Sequence, residues 1–230
     1  MIHKKTLPIA LGTAAGVAVC GLALRPWFLG WGATDEEVRG PWPGDEMTPD
    51  AICQATRAVT IHASADEIWP WLVQIGQDRG GFYSYTWLEN LFGARMRNAG
   101  RILPNLDRKV GDAVWMTPKE RYGGKGCMKV AALEPARSMV LVPPDEYEEV
   151  LQSGRAPGGC WTFILRPLDN GVTRLILRSR GAEQESLPAK LFDRLVFDPA
   201  HFIMERKMML EIKRRAEARL PSSSARIAAA

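Results

Sequence analysis

Residues 59–85 read "VTIHASADEIWPWLVQIGQDRGGFYSY", and the order of signals in that stretch decides the fold. Just before and into it, Arg57, Val59 and Ile61 alternate with Ala58, Thr60 and His62. That period of two predicts a strand over residues 54–62. Ser64 and Glu67 have the spacing of a capping box, and Ile68, Trp71, Leu72 and Ile75 then recur at helical intervals. Pro70 lies beyond the first turn, so the helix either starts nearer Asp66 or kinks at the proline. Gly76 ends it, "QDRGG" makes a loop, and a second short helix is expected over 86–92.

Downstream of Gly111 the period returns to two. Strands are expected near 112–117, 127–133, 137–142, 159–167 and 172–180. Asn170–Gly171 is a strong hairpin signal between the last two. Residues 143–158 read as an acidic, glycine-containing loop. From Pro199 a long helix is expected to about Leu220. Met204, Met208, Ile212, Ala216 and Leu220 mark its buried stripe, and Arg206, Lys207, Lys213 and Arg214 its wet side. Strand, two helices, an antiparallel meander and one long terminal helix make an α+β architecture. A strongly curved version of that sheet leaves a cavity between sheet and helix.

Upstream, Leu7 to Leu24 runs eighteen residues without a charge. As a helix it would span about 27 Å, close to the hydrocarbon thickness of a bilayer. Lys4 and Lys5 precede it; Arg25, Trp27, Phe28 and Trp31 follow it like an interfacial belt. Residues 1–31 therefore read as a single-pass membrane anchor, with the body on the exoplasmic side. A cleaved signal peptide using Gly21 and Ala23, or a buried core helix, are the rival readings; Val19 argues against a lipoprotein signal at Cys20. Residues 32–52, rich in acidic residues, proline and glycine, read as a linker. The domain proper covers 53–220, and "PSSSARIAAA" at 221–230 is a disordered tail.

At 230 residues with a formal charge of +4, the chain suits one globular domain plus an appendage. The basic run from Arg206 to Arg226 reads as the solvated face of a helix, and no nucleic-acid partner is expected. Cys20, Cys53, Cys127 and Cys160 form no CxxC or Cys/His cluster, so no metal site or cofactor is expected. GxSxG, HExxH and the GxxxxGK[ST] loop are absent; "RYGGKG" at 121–126 has the wrong spacing and reads as a turn.

The chain resembles the SRPBCC superfamily, the helix-grip fold of START lipid-transfer domains, Bet v 1 proteins and polyketide cyclase-like proteins, and in particular its bacterial membrane-anchored members. The resemblance covers about residues 53–220. It rests on the 59–85 stretch, on "VGDAVWM" at 110–116 and on "FDPAHFIMERKMMLEIKRRAE" at 197–217. Five strands follow the helices where the family usually has six, so a further strand lies in 95–105 or 143–158, or the match departs there. "LPAKLFDRLVFDP" at 187–199 looks like an elaboration. The resemblance implies an apolar cavity for lipids, polyketides or similar molecules, but not one chemistry.

Seven of the nineteen Trp, Tyr and Phe residues fall from Trp69 through Phe92. Trp71 shares the apolar helix face and reads as core. Tyr83, Tyr85 and Trp87 flank a glycine turn at the expected cavity mouth and are candidate ligand contacts. Trp115, Trp161, Phe163, Met204 and Met208 are candidate cavity walls. Arg174, Arg178 and Arg180 share one face of the last strand; if that face is inward, Arg178 would hold a ligand carboxylate or phosphate. Asp78–Arg79 and Glu89–Asn90 border the aromatic loop. The expected function is binding or transfer of a hydrophobic small molecule beside a membrane. The alternative is a cyclase- or dehydratase-like enzyme using Tyr83, Tyr85 or His201 as acid/base.

Overall fold

The computed structural model describes residues 23–104 and 107–218. Six strands form one antiparallel sheet: β1 (Cys53–Ile61), β2 (Ala113–Trp115), β3 (Cys127–Glu134), β4 (Ser138–Val142), β5 (Gly159–Pro167) and β6 (Thr173–Gly181). Their order is β1-β6-β5-β4-β3-β2, so the first strand closes beside the last. The helices are α1 (Asp35–Arg39), α2 (Ala65–Val73), α3 (Thr86–Leu91), α4 (Tyr147–Ser153), α5 (Leu187–Phe192) and α6 (Asp198–Glu217). The architecture is α+β, a curved antiparallel sheet with a long C-terminal helix.

Ser64 opens α2 with a complete capping box: its hydroxyl accepts from the Glu67 N–H at 3.4 Å, and the Glu67 carboxylate accepts from the Ser64 N–H at 2.8 Å. Ser64→Ala should destabilise the fold by about 1 kcal/mol, lowering Tm by about 2–4 °C in thermal unfolding. The helix runs through Pro70 and ends at Val73, short of Gly76. The proline removes one backbone bond there, and the chain leaves the helix within a turn. Gly76, at φ 132°, instead bridges to Gly81 and closes the "QDRG" loop.

One face of the sheet builds the core. Ile61, Phe163, Leu175 and Leu177 meet Ile68, Trp71 and Leu72 of α2 and Met208, Met209, Ile212 and Ala216 of α6. Each such buried side chain contributes about 1.5–3 kcal/mol.

The other face is covered by the segment that reads as a linker. Ala33 and Trp42 pack on Ala58, Ile164 and Ile176, and Met47 packs on Val140, Val142 and Cys160. Its acidic residues meet the arginines of β6. The fully buried Glu37 accepts from Arg174 at 2.9 Å and from Arg166 at 2.8 Å. Burial works to raise the Glu37 pKa, but these guanidiniums and the Thr34 N–H hold it below the usual carboxylate range. Asp45 takes both arms of Arg178, at 2.7 and 2.9 Å, and Arg180 at 3.2 Å. Arg178 thus faces outward, away from the side of the sheet that α6 covers, because its counter-charge and the Thr56 hydroxyl lie there.

Residues 143–158 hold a 3₁₀ turn (Pro144–Glu146) and α4, and no strand. Pro143 and Pro144 stop β4, acidic residues fill the first turn of α4, and Gly154 at φ 73° caps it. Residues 95–104 hold no strand either, so five strands follow α2 and α3. The terminal helix also starts earlier than Pro199. Helical structure runs from Leu187 to Glu217, with a π turn at Asp193–Phe197 joining α5 to α6. Pro199 has no N–H to give, and the wider turn, in which the Asp198 N–H reaches the Asp193 carbonyl, absorbs the defect.

Residues 1–22 and 219–230 lie outside the described residues, and with them most of the expected anchor over 7–24, Leu220 and the tail. Among the described residues no helix is long and apolar enough to cross a membrane. The helical residues 23–29 dock on the body: Phe28 stacks on Phe202 at 5.6 Å, Trp27 meets the same ring edge-on, and Arg25 bonds Asp198 at 2.9 Å. Cys53, Cys127 and Cys160 are free thiols.

Candidate functional site

Between β5, α3 and α6 lies a cavity of about 330 Å³. Phe82, Met96, Met116, Trp161, Met204 and Met208 supply most of its wall. Phe92 and Phe197 are each more than half exposed and stand at its rim. A second hollow of about 340 Å³ adjoins it, sharing Met116, Trp161, Phe197 and His201, and reaches past Arg57 to Arg180 and Gly181.

A buried ionic cluster sits at the shared wall. Arg57 points inward from β1, as its alternation with Val59 and Ile61 requires, and pairs with Glu205 of α6; their side chains are 1% and 2% exposed. The Trp161 indole N–H donates to the other Glu205 oxygen at 2.7 Å, and the Arg57 Nε donates to the Phe28 carbonyl at 2.9 Å. Burial works to raise the Glu205 pKa, but Arg57, His201 and these hydrogen bonds outweigh it and hold the carboxylate ionised. His201, one turn before Glu205, stacks on Phe197 at 5.6 Å and lies 3.8 Å from the Glu205 carboxylate. Burial pushes the imidazole below its ordinary value despite that carboxylate.

Glu89 of α3 is the other charged wall residue. It is 8% exposed, and its Oε2 has no hydrogen-bond partner. Burial pushes its pKa up to about 7.

Of the residues expected to contact a ligand, the cavity brings together Trp161, Met204 and Met208, with His201 from the catalytic alternative. Phe163 lies behind Trp161 in the core, 4.6 Å away ring to ring. Tyr83 is also core. Its hydroxyl accepts from Gln74 at 2.7 Å and donates to the Trp71 carbonyl at 3.1 Å, and burial pushes its pKa up to about 12. Tyr85 lies under the Lys207 ammonium and Trp87 stands in solvent, neither lining the cavity. Trp115 lies beside the Lys119 ammonium and also stays outside that wall.

The sequence reading missed the Arg57–Glu205 pair and the burial of Glu89. The first left a trace: an arginine on the apolar face of β1 and a glutamate on the apolar stripe of α6. Glu89 left none, since α3 is only six residues long and too short to show a face.

No family model matches the chain. No curated protein matches it. Among solved structures, protein MLL2253 from Mesorhizobium loti is similar at 12% identity, covering 74% of this chain and 100% of that one, with a TM-score of 0.38. A protein from Arthrobacter aurescens shares 15% identity over 80% of this chain and 94% of its own, with a TM-score of 0.38. A conserved protein of unknown function, EF2215 from Enterococcus faecalis, shares 14% over 71% and 81%, with a TM-score of 0.28.

Proposed function

We propose that this chain is a helix-grip protein of the SRPBCC type that binds or transfers a hydrophobic small molecule, tethered to a membrane by residues 7–24. The observation that carries the reading is the cavity of about 330 Å³ between sheet and terminal helix, walled by methionine and aromatic side chains. That volume is in the range that encloses a small ligand, and thioethers adapt to varied ligand shapes. The closure of β1 beside β6 and the packing of α6 on the inner face are consistent with the fold. The cyclase- or dehydratase-like alternative draws less support, since of its three candidate acid/base residues only His201 lines the cavity.

The test is to fill the hollow. The full chain, in its native form and as Met204→Trp/Met208→Trp, would be purified in lipid nanodiscs, extracted with organic solvent and assayed by mass spectrometry. A discrete hydrophobic compound should accompany the native protein and be depleted about tenfold or more in the filled variant, which overpacking should destabilise by about 1–3 kcal/mol. Identical extracts from both would refute the reading.

A further inference from the structure

The cavity's polar groups are nearly all engaged with one another. The Ser84 hydroxyl donates to the Met204 carbonyl at 2.9 Å. Glu205 gives one oxygen to Arg57 and the other to Trp161. Glu89 alone offers a buried oxygen with no protein partner, and it is more than nine-tenths buried. A buried acceptor left empty is costly, and native interiors rarely keep one without a use. Local hydrogen bonds fix the backbone that carries it. The Glu89 carbonyl accepts from the Ala94 N–H at 3.1 Å, and the Asn90 side chain brackets the backbone of Met96, donating to its carbonyl at 3.2 Å.

We propose that Glu89 is the head-group anchor of this cavity and that the molecule bound there is a hydrophobic amine. Its ammonium lies against the Glu89 carboxylate, and its hydrocarbon body lies among the methionine and aromatic walls. The proposal rests on the ligand-binding reading above and names the chemistry of the ligand. Among the described residues lining the cavity there is no lysine or arginine; a ligand carboxylate would meet two glutamates and His201, and the Arg57 guanidinium at the shared wall is already engaged by Glu205. An ammonium would meet a carboxylate acceptor, a charge-assisted pairing, in a wall otherwise built of methionines and the aromatic residues Phe82, Phe92, Trp161 and Phe197.

Three probes share one rigid apolar body and differ only in the head: adamantylamine, adamantanol and adamantanecarboxylic acid. Each would be titrated calorimetrically at pH 8 into the full chain in lipid nanodiscs, against empty discs, with native protein and Glu89→Gln. The amine should bind native protein at least about tenfold more tightly than the acid, as one charge-assisted hydrogen bond allows. Glu89→Gln should weaken the amine by about tenfold or more and the alcohol by less than about threefold, the alcohol reporting that the cavity is intact. Equal amine binding by both proteins, or acid binding as tight as amine, overturns the role of Glu89 while alcohol binding keeps the cavity reading alive. Binding of none of the three overturns both.

Discussion

Glu205→Gln should destabilise the protein by about 3–5 kcal/mol, because it leaves the Arg57 guanidinium buried without its counter-charge. At this chain length that corresponds to a fall in Tm of about 6–20 °C. Arg57 is 1% exposed, so water cannot take the place of the lost carboxylate. Arg57→Met should cost less, since an unpaired Glu205 can take up a proton and lose its charge. The double variant Arg57→Met/Glu205→Leu removes both charges and should recover most of the loss. About 1–2 kcal/mol should remain for the orphaned Trp161 N–H and Phe28 carbonyl. Urea unfolding of the native protein, Arg57→Met, Glu205→Leu and the double variant, read as a double-mutant cycle, measures the coupling directly. A Glu205→Gln cost below about 1 kcal/mol would mean that the pair is not closed in solution.

The second large effect has the opposite sign. Glu89→Gln should stabilise the protein at pH 8 relative to pH 5, with the difference between variant and native shifting by about 3 kcal/mol between the two. Burial places the native Glu89 pKa at about 7 against 4.5 for the free group. Between those values the folded chain keeps a proton that the unfolded chain has released. Stability therefore falls as pH rises through this window, and the full cost stands above about pH 7. Glutamine does not ionise and escapes that cost at every pH. Urea midpoints for both proteins across pH 5–8 decide the matter; a variant effect that is constant with pH would show that Glu89 ionises freely. This same cost is what a bound ammonium would offset.

The site was half legible. Met204 and Met208 stand out because a long helix repeats its buried face every three to four residues, and Trp161 because it shares one face of β5 with Phe163. Tyr83 misled because an aromatic residue beside a glycine turn looks the same whether it lines a hollow or is locked in the core by Gln74 and Trp71. Arg178 misled for a related reason. Alternation groups Arg174, Arg178 and Arg180 on one face of β6 but carries no sign that tells inside from outside.

What the amino-acid order determined by itself was whatever local physics controls: the capping box at Ser64, the strand faces of β1 and β6, the hairpin after Pro167 and the apolar stripe of α6. Propensity, capping and periodicity act over a few residues and can be read along the chain. Which side of the sheet became interior, the arrival of Glu37 and Asp45 from residues 32–52 on its outer side, and the enclosure of Glu89 with an unpartnered oxygen all depended on long-range packing. Burial and charge pairing depend on groups more than a hundred residues apart, such as Asp45 and Arg178, and the free energy that joins them exists only once the chain has closed.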